Sequence, residues 1–472
     1  MEDYYNSNKF KDMLRSYEDG MKEGNPPYLD VEDLTDIAEY YHNSDKPEES
    51  RQTVDYALSL FPDATEPLAL RARIALVDDN DIYAAREYAE RIEDKTDLEY
   101  FYITAEIMLS VGEFAEADKY LNECLRTSVG DEADDFALDV ATLFADYNFF
   151  DLAEKWFHLC IDDNSDEYNE IKGRIALEKG NYEEGERIYN ELLDRNPFST
   201  NYWNGLASSQ MLHNELSDSI TSSEFSIAID PHNAEAIYSK ANGLFILENY
   251  TDALTFFNRY NKLCPDDETG EMSIASCLFN LNRDQEGIIH LKQAEKIAIK
   301  KGHQNCLFEI YKELAYAESS MGHVAFALEY VNKLTGIYSW YRNDAMVLRG
   351  YICLENNDME QAVKHFHNAM IESKHSPRIY LCVAIAFYDN GNIAPAYEML
   401  NKLVKQQNNR THMGYSYLAL CCNEMGLHDQ YLANVKAACE LNPHEASKVL
   451  SHLFPEGMDT KDYYQYLLNQ EF

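Results

Sequence analysis

Proline recurs at a fixed interval in the middle of this chain. Pro197, Pro231 and Pro265 stand 34 residues apart, each just past an apolar run with helical spacing. Between them every segment divides into two halves. The first carries a large residue and then a large-small pair three and four places on, as in Trp203, Leu206 and Ala207. The second carries a small residue, an aromatic four places later and a helix stop, as in Ala253, Phe257 and Pro265. A period of this size means one supersecondary unit used repeatedly. Two antiparallel helices need a close approach where they cross; alanine or glycine permits it, and the large neighbours fill the groove beside it. Proline past the second helix ends it, because that residue cannot continue a helix. One hairpin leaves an apolar face bare, and the next hairpin covers it, so such a chain is stable only as a stack.

The same frame fits upstream at Ile37, Ala38, Tyr41, Ala57 and Pro62, then at Ala72, Leu76 and Ala85, at Ala105, Gly112 and Ala117, at Ala141, Phe144, Ala153 and Phe157, and at Gly173, Tyr182 and Tyr189. Downstream it fits Leu314, Ala315, Gly322 and Ala327, then Gly350, Ala362, Phe366 and Ala369, then Ala384, Phe387, Gly391 and Ala396, then Leu418, Ala419, Gly426 and Ala438. Glycine or asparagine between the halves supplies the turn. The expectation is an all-α fold, an α-α superhelix of about a dozen helix-turn-helix units over 31–445. The array is divided at 299/300, where extra residues interrupt the spacing, into 31–299 and 300–445. Residues 1–30 and 446–472 fall outside the frame and are expected to form terminal capping helices, since an uncapped stack exposes its apolar end. Ser219, Ser223 and Ser226 depart from the frame, standing where small and aromatic residues are usual.

This pattern resembles the tetratricopeptide repeat family over nearly the whole chain. The stretch from Tyr28 to Tyr41 also looks like large acidic bacterial proteins of that family. The resemblance implies a non-enzymatic protein-interaction scaffold that binds a peptide segment or partner protein along a groove lined by each unit's first helix. A peptide-sensing regulator, or a regulatory subunit of an enzyme complex, is the alternative. The groove positions it implies are the second, fifth, ninth and twelfth of each unit. In the centre and C-terminal part these give Asn201, Asn204, Tyr238, Asn242, Phe245, Lys312, Tyr316, Tyr351, Arg378 and Tyr388 as candidate partner-binding residues. Asparagine can hold a backbone through its amide, and tyrosine offers contact area at low entropic cost. Replacing Tyr238 and Asn242 by alanine is therefore expected to remove binding while sparing the fold. Upstream the same places give Glu99, Tyr102, Glu106, Asp135, Glu167, Glu170 and Arg174, an acidic face. The lysine, asparagine and arginine set by which chaperone-binding members grip a terminal carboxylate is not found on successive units.

Charge narrows the partners. The chain holds 83 acidic and 40 basic residues, for a net charge of −43. Residues 1–200 alone hold 50 acidic and 19 basic. Phosphate contacts need clustered lysine and arginine, so nucleic acid and anionic membrane are disfavoured. The acidic excess is read first as solubility by self-repulsion and, as the alternative, as a surface for a basic partner; the partner is expected to be a protein or peptide, with the chain itself a monomer or weak homodimer. No apolar run of membrane-spanning length and no signal sequence is found, and the ten cysteines contain no C-x-x-C, so a reduced cytoplasm is expected. No phosphate loop, zincin or nucleophile-elbow motif occurs. His365 and His367 lie two apart and face different sides of a helix, so neither a metal nor a cofactor is expected.

Overall fold

In the computed structural model, the described residues are 4–5, 7–24, 27–43, 46–127, 133–161, 164–406, 409–455 and 457–470. Among them the secondary structure is helical, with no strand. The fold is the all-α repeat expected from the spacing. It divides into two compact units, Met1–Leu212 and His213–Phe472.

The first unit opens with the helix Asn8–Glu23. The Ser7 side chain caps its start by accepting from the Phe10 amide, and Gly24 closes it in the left-handed region. Phe10 and Tyr17 are buried against Leu34, Ile37 and Tyr41, so this helix packs on the first hairpin. Hairpins follow: Val31–Asn43 with Pro47–Leu60, Thr65–Val77 with Ile82–Arg91, Leu98–Ser110 with Phe114–Thr127, Ala133–Asp146 with Phe150–Phe157, and Asp166–Glu178 with Tyr182–Arg195. Thr200–Leu212 ends the unit. First helices of successive hairpins pack on one another, as Thr65–Val77 does on Leu98–Ser110, which lines them along one face.

The second unit begins with Leu216–Ile229. Its hairpins are Ala234–Ile246 with Tyr250–Leu263, Glu268–Asn280 with Asp284–Lys301, Gln304–Ser320 with Val324–Ile337, Arg342–Glu355 with Met359–Glu372, Pro377–Asp389 with Ile393–Leu403, and Tyr415–Glu424 with His428–Leu441. Pro443–Leu450 and Thr460–Gln470 close it, with the Phe454 ring stacked on Tyr463 at 3.8 Å.

The frame residues do what their types imply. Ala253 and Phe257 are buried together with Ala241 and Ile274. A Cβ added to Gly350 would stand 2.3 Å from the Phe366 ring, so only glycine fits that crossing. Asn357 supplies a left-handed turn residue at φ 64°. Glu248 does the same at φ 61°, a conformation that costs a non-glycine residue about 1–2 kcal/mol. Ser219, Ser223 and Ser226 are fully buried in place of the usual residues. The Ser223 hydroxyl donates to the Ser219 carbonyl at 2.9 Å, so its burial leaves no donor unmet.

Pro443 follows the end of His428–Leu441 and is the first residue of the next helix, whose start Asn442 caps by accepting from the Glu445 amide at 3.2 Å. The extra residues near 299–308 extend the helices on both sides of the junction. They lengthen the facing helices to 18 residues in Asp284–Lys301 and 17 in Gln304–Ser320, with Gly302 as the left-handed cap between them.

Candidate functional site

Each unit has a hollow on the face lined by its first helices. In the first unit it measures 330 Å³ and is lined by Glu32, Asp36, Glu39, Glu66 and Glu99, with Thr35, Leu70 and Arg73. Most of these stand at the second, fifth or ninth place of their helices, the register expected to face a partner. Burial is the main cause that raises the Glu39 carboxyl above its usual range, and the neighbouring Glu99 adds to it. Glu66 is raised in the same way, by burial and then by Glu32. Burial also raises Glu99, against the pull of Arg73.

Arg73 does not neutralise this hollow freely, because it is already engaged. Its Nε and Nη2 donate to Glu106 Oε1 at 2.9 and 2.7 Å, and Glu99 lies at 3.6 Å. Glu106, expected to face a partner, is only 5% exposed and is consumed by that pair. Tyr102 is also engaged, donating to Asp139 at 2.6 Å.

These carboxylates yield a prediction with a definite sign. Their folded pKa values lie above the unfolded ones, so at neutral pH the ionised forms oppose folding. Their share of stability is recovered as pH falls through the folded value and is complete below the unfolded value of about 4.3. Glu39→Gln and Glu66→Gln are each expected to raise the melting temperature at pH 7. The gain should shrink as pH is lowered toward 5. A variant that melts at or below the wild-type temperature at pH 7 contradicts this electrostatic reading.

The hollow of the second unit is aromatic. It measures 230 Å³ and is lined by Tyr316, Tyr341, Asp344, Tyr351, Cys382 and Asp389, over a floor of Val347, Leu348, Ile385 and Ala386. Tyr316 and Tyr351 meet edge to face at 5.0 Å. Burial pushes the Tyr351 hydroxyl up to about 12, so it is a neutral donor. Arg378 grips Asp344 through two bonds of 2.6 Å each. Asp389 has no ion-pair partner among the described residues, and burial raises its carboxyl.

Of the ten residues expected to contact a partner, the structure brings Tyr316, Tyr351 and, through Asp344, Arg378 to this one place. Lys312 lies on the same helix as Tyr316 and is paired with Glu309 at 2.7 Å. Tyr388 packs on Tyr417 at 6.1 Å. Asn201 is exposed, whereas Asn204 is 5% exposed and offers a partner almost no surface. Tyr238 corrects a second expectation. Its ring packs on Phe257 at 5.6 Å and on Tyr260 at 4.9 Å, so its removal would damage the core that holds the hairpin. Phe245 likewise packs on Tyr250 at 5.3 Å, and Asn242, between Tyr238 and Phe245 in sequence, is half-buried. Asp344, Tyr341 and Asp389 were not singled out in the sequence.

No helix among the described residues is long and apolar enough to cross a membrane. Residues 172–224 match the family model described as tetratricopeptide repeat. No curated protein sequence matches the chain. The solved structures it is similar to include yeast Tom70, at 14% identity, covering 93% of this chain and 96% of that one, with a TM-score of 0.42. The APC/C hetero-tetramer Cut9-Hcn1 matches at 14% identity over 96% of this chain and 98% of that one, with a TM-score of 0.36. A thermophilic repeat protein of Thermus thermophilus, also 14% identical, covers 35% of this chain and 92% of its own, with a TM-score of 0.32. The matched segment 172–224 spans Tyr182–Arg195 and its stacked neighbour Thr200–Leu212, so this stretch is similar to a tetratricopeptide repeat, and its helical hairpin pattern recurs along the described residues.

Proposed function

We propose that the chain is a non-enzymatic scaffold that holds an extended, basic segment of a partner protein on the faces lined by its first helices. Protein and peptide partners are the usual business of this repeat fold. The observation that carries the finer reading is the second-unit hollow, lined by Tyr316, Tyr341 and Tyr351 together with Asp389, a carboxylate with no ion-pair partner among the described residues. A lysine or arginine side chain entering there meets aromatic rings and one negative charge, the combination that suits a cation stripped of water. The carboxylate-lined hollow of the first unit suits the same kind of partner, and so does the net charge of −43. Such a field speeds capture of a basic segment and weakens with added salt.

The test is selection of short random peptides on the full-length chain, followed by titration of the winners. Peptides rich in lysine or arginine are expected to be enriched. Asp389→Asn is expected to weaken the best of them about tenfold, or ~1.4 kcal/mol. Enriched peptides without basic residues, or equal affinity for the Asp389→Asn chain, contradict the proposal.

A further inference from the structure

One cluster of side chains lies away from both hollows and has the composition of a metal site. Glu268 is the first residue of Glu268–Asn280, and His303 and Cys306 stand at the start of the next hairpin's Gln304–Ser320. One donor atom from each of the three lies within 4.8 Å of the others. Glu268 is 2% exposed, and its Oε2 has no hydrogen-bond partner. Its other oxygen, Oε1, is 2.5 Å from His303 Nδ1. Oε2 has the Lys301 ammonium beside it at 3.6 Å, too far for a hydrogen bond, and a buried carboxylate oxygen left without one is costly.

We propose that Glu268, His303 and Cys306 bind a single Zn²⁺ ion, one carboxylate oxygen, one imidazole nitrogen and one thiolate sulfur, with the fourth position left to water. The donor set suits a borderline metal of this kind. Zinc accepts all three ligand types in tetrahedral geometry, at about 2.0–2.3 Å from each. Ligand atoms around such an ion stand about 3.3–3.8 Å apart, so His303 and Glu268, now 2.5 Å apart, separate by about an ångström to admit it.

The neighbouring charges set the conditions for binding. When the metal enters, the thiol loses its proton to the buffer and the thiolate takes its place on the ion. Asp267 adds negative charge beside Cys306, which favours a cation. Lys301 opposes it, with its ammonium 3.6 Å from Glu268 Oε2, but its side chain is one-third exposed and can turn into solvent.

The site ties one repeat to the next. It sits where both helices of the junction are lengthened by the extra residues near 299–308, and those residues supply His303 and Cys306. The period alone does not require them; a ligand pair directed back at Glu268 gives them a purpose.

The test is titration of the metal-stripped, full-length chain with Co²⁺, followed by absorption, and then with Zn²⁺, followed by thermal melting. One equivalent of Co²⁺ is expected to produce a thiolate-to-cobalt charge-transfer band in the near ultraviolet. Zn²⁺ is expected to displace Co²⁺ and raise the melting temperature. Cys306→Ser should abolish the band and Glu268→Gln should weaken binding at least tenfold, while Cys439→Ser, which removes a thiol elsewhere in the unit, should leave the band intact. Circular dichroism of each variant separates loss of the site from loss of the fold. A wild-type chain that gives no band, or a band that survives in folded Cys306→Ser, overturns the proposal.

Discussion

Replacing Trp156 by alanine is expected to destabilise the first unit by about 3–5 kcal/mol, the usual loss for a large buried aromatic. Trp156 is 0% exposed and is the largest of the fully buried side chains. Its ring meets Phe136 edge to face at 6.1 Å, joining the second helix of its hairpin to the first. Its Nε1 also donates to Asp118 Oδ1 at 2.9 Å, reaching back into the preceding hairpin. One side chain therefore links two repeats. The effect is separable into its parts. Asp118 keeps a second partner, Lys155, whose Nζ lies 2.6 Å away, so loss of the indole leaves no orphaned carboxylate. Trp156→Phe then keeps most of the packing and gives up one hydrogen bond, for an expected cost nearer 1 kcal/mol. Chemical denaturation of the three chains checks this. Equal losses for alanine and phenylalanine would mean that the hydrogen bond, not the packing, holds the repeats together.

Arg73→Met is expected to cost about 3–5 kcal/mol as well, by a different route. The substitution leaves Glu106 buried, charged and without its partner, and breaking a buried pair from one side is expensive. The pair itself need not stabilise strongly, because two ions removed from water give back much of what their attraction contributes. Arg73→Met together with Glu106→Leu should therefore recover most of the loss. The coupling in the double-mutant cycle is expected to be large, since the two residues share bonds of 2.7 and 2.9 Å. Additive losses would show that Arg73 acts through packing alone. The cycle also bears on binding, because Glu106 holds Arg73, which lines the acidic hollow.

These two residues also show what a sequence of this kind discloses. Its period revealed the hairpins, because Ala253, Phe257, Gly350 and Phe366 occupy positions where crossing geometry admits few alternatives. Trp156 stayed hidden because it stands next to Phe157, which fits the frame. The period locates the small residue and the aromatic but does not say which neighbour the hairpin buries more deeply. Two residues at the groove places, Tyr316 and Tyr351, meet edge to face and line one hollow. Extended to the first two repeats, the second, fifth and ninth places give Glu32, Thr35, Glu39, Glu66 and Arg73, which line the acidic hollow. Register does not report pairing. Asn204 and Tyr238 hold the right places and are taken up by packing, and Glu106 is taken up by Arg73. The three residues proposed to hold zinc were invisible for a plainer reason. Glu268 is one repeat away from His303 and Cys306, and only stacking brings them together.

The central claim is that partners are held on the face lined by the first helices. It is tested most directly by placing a photo-crosslinking residue at Tyr351, which lines the second-unit hollow, and in a separate chain at Val363, which is exposed on the second helix Met359–Glu372 of the same hairpin. Each chain is irradiated with a selected basic peptide, and the adducts are mapped by mass spectrometry. The account predicts adducts from position 351 that fade as salt is raised, and none from position 363. Adducts from position 363 alone would move the partner to the opposite face and contradict it.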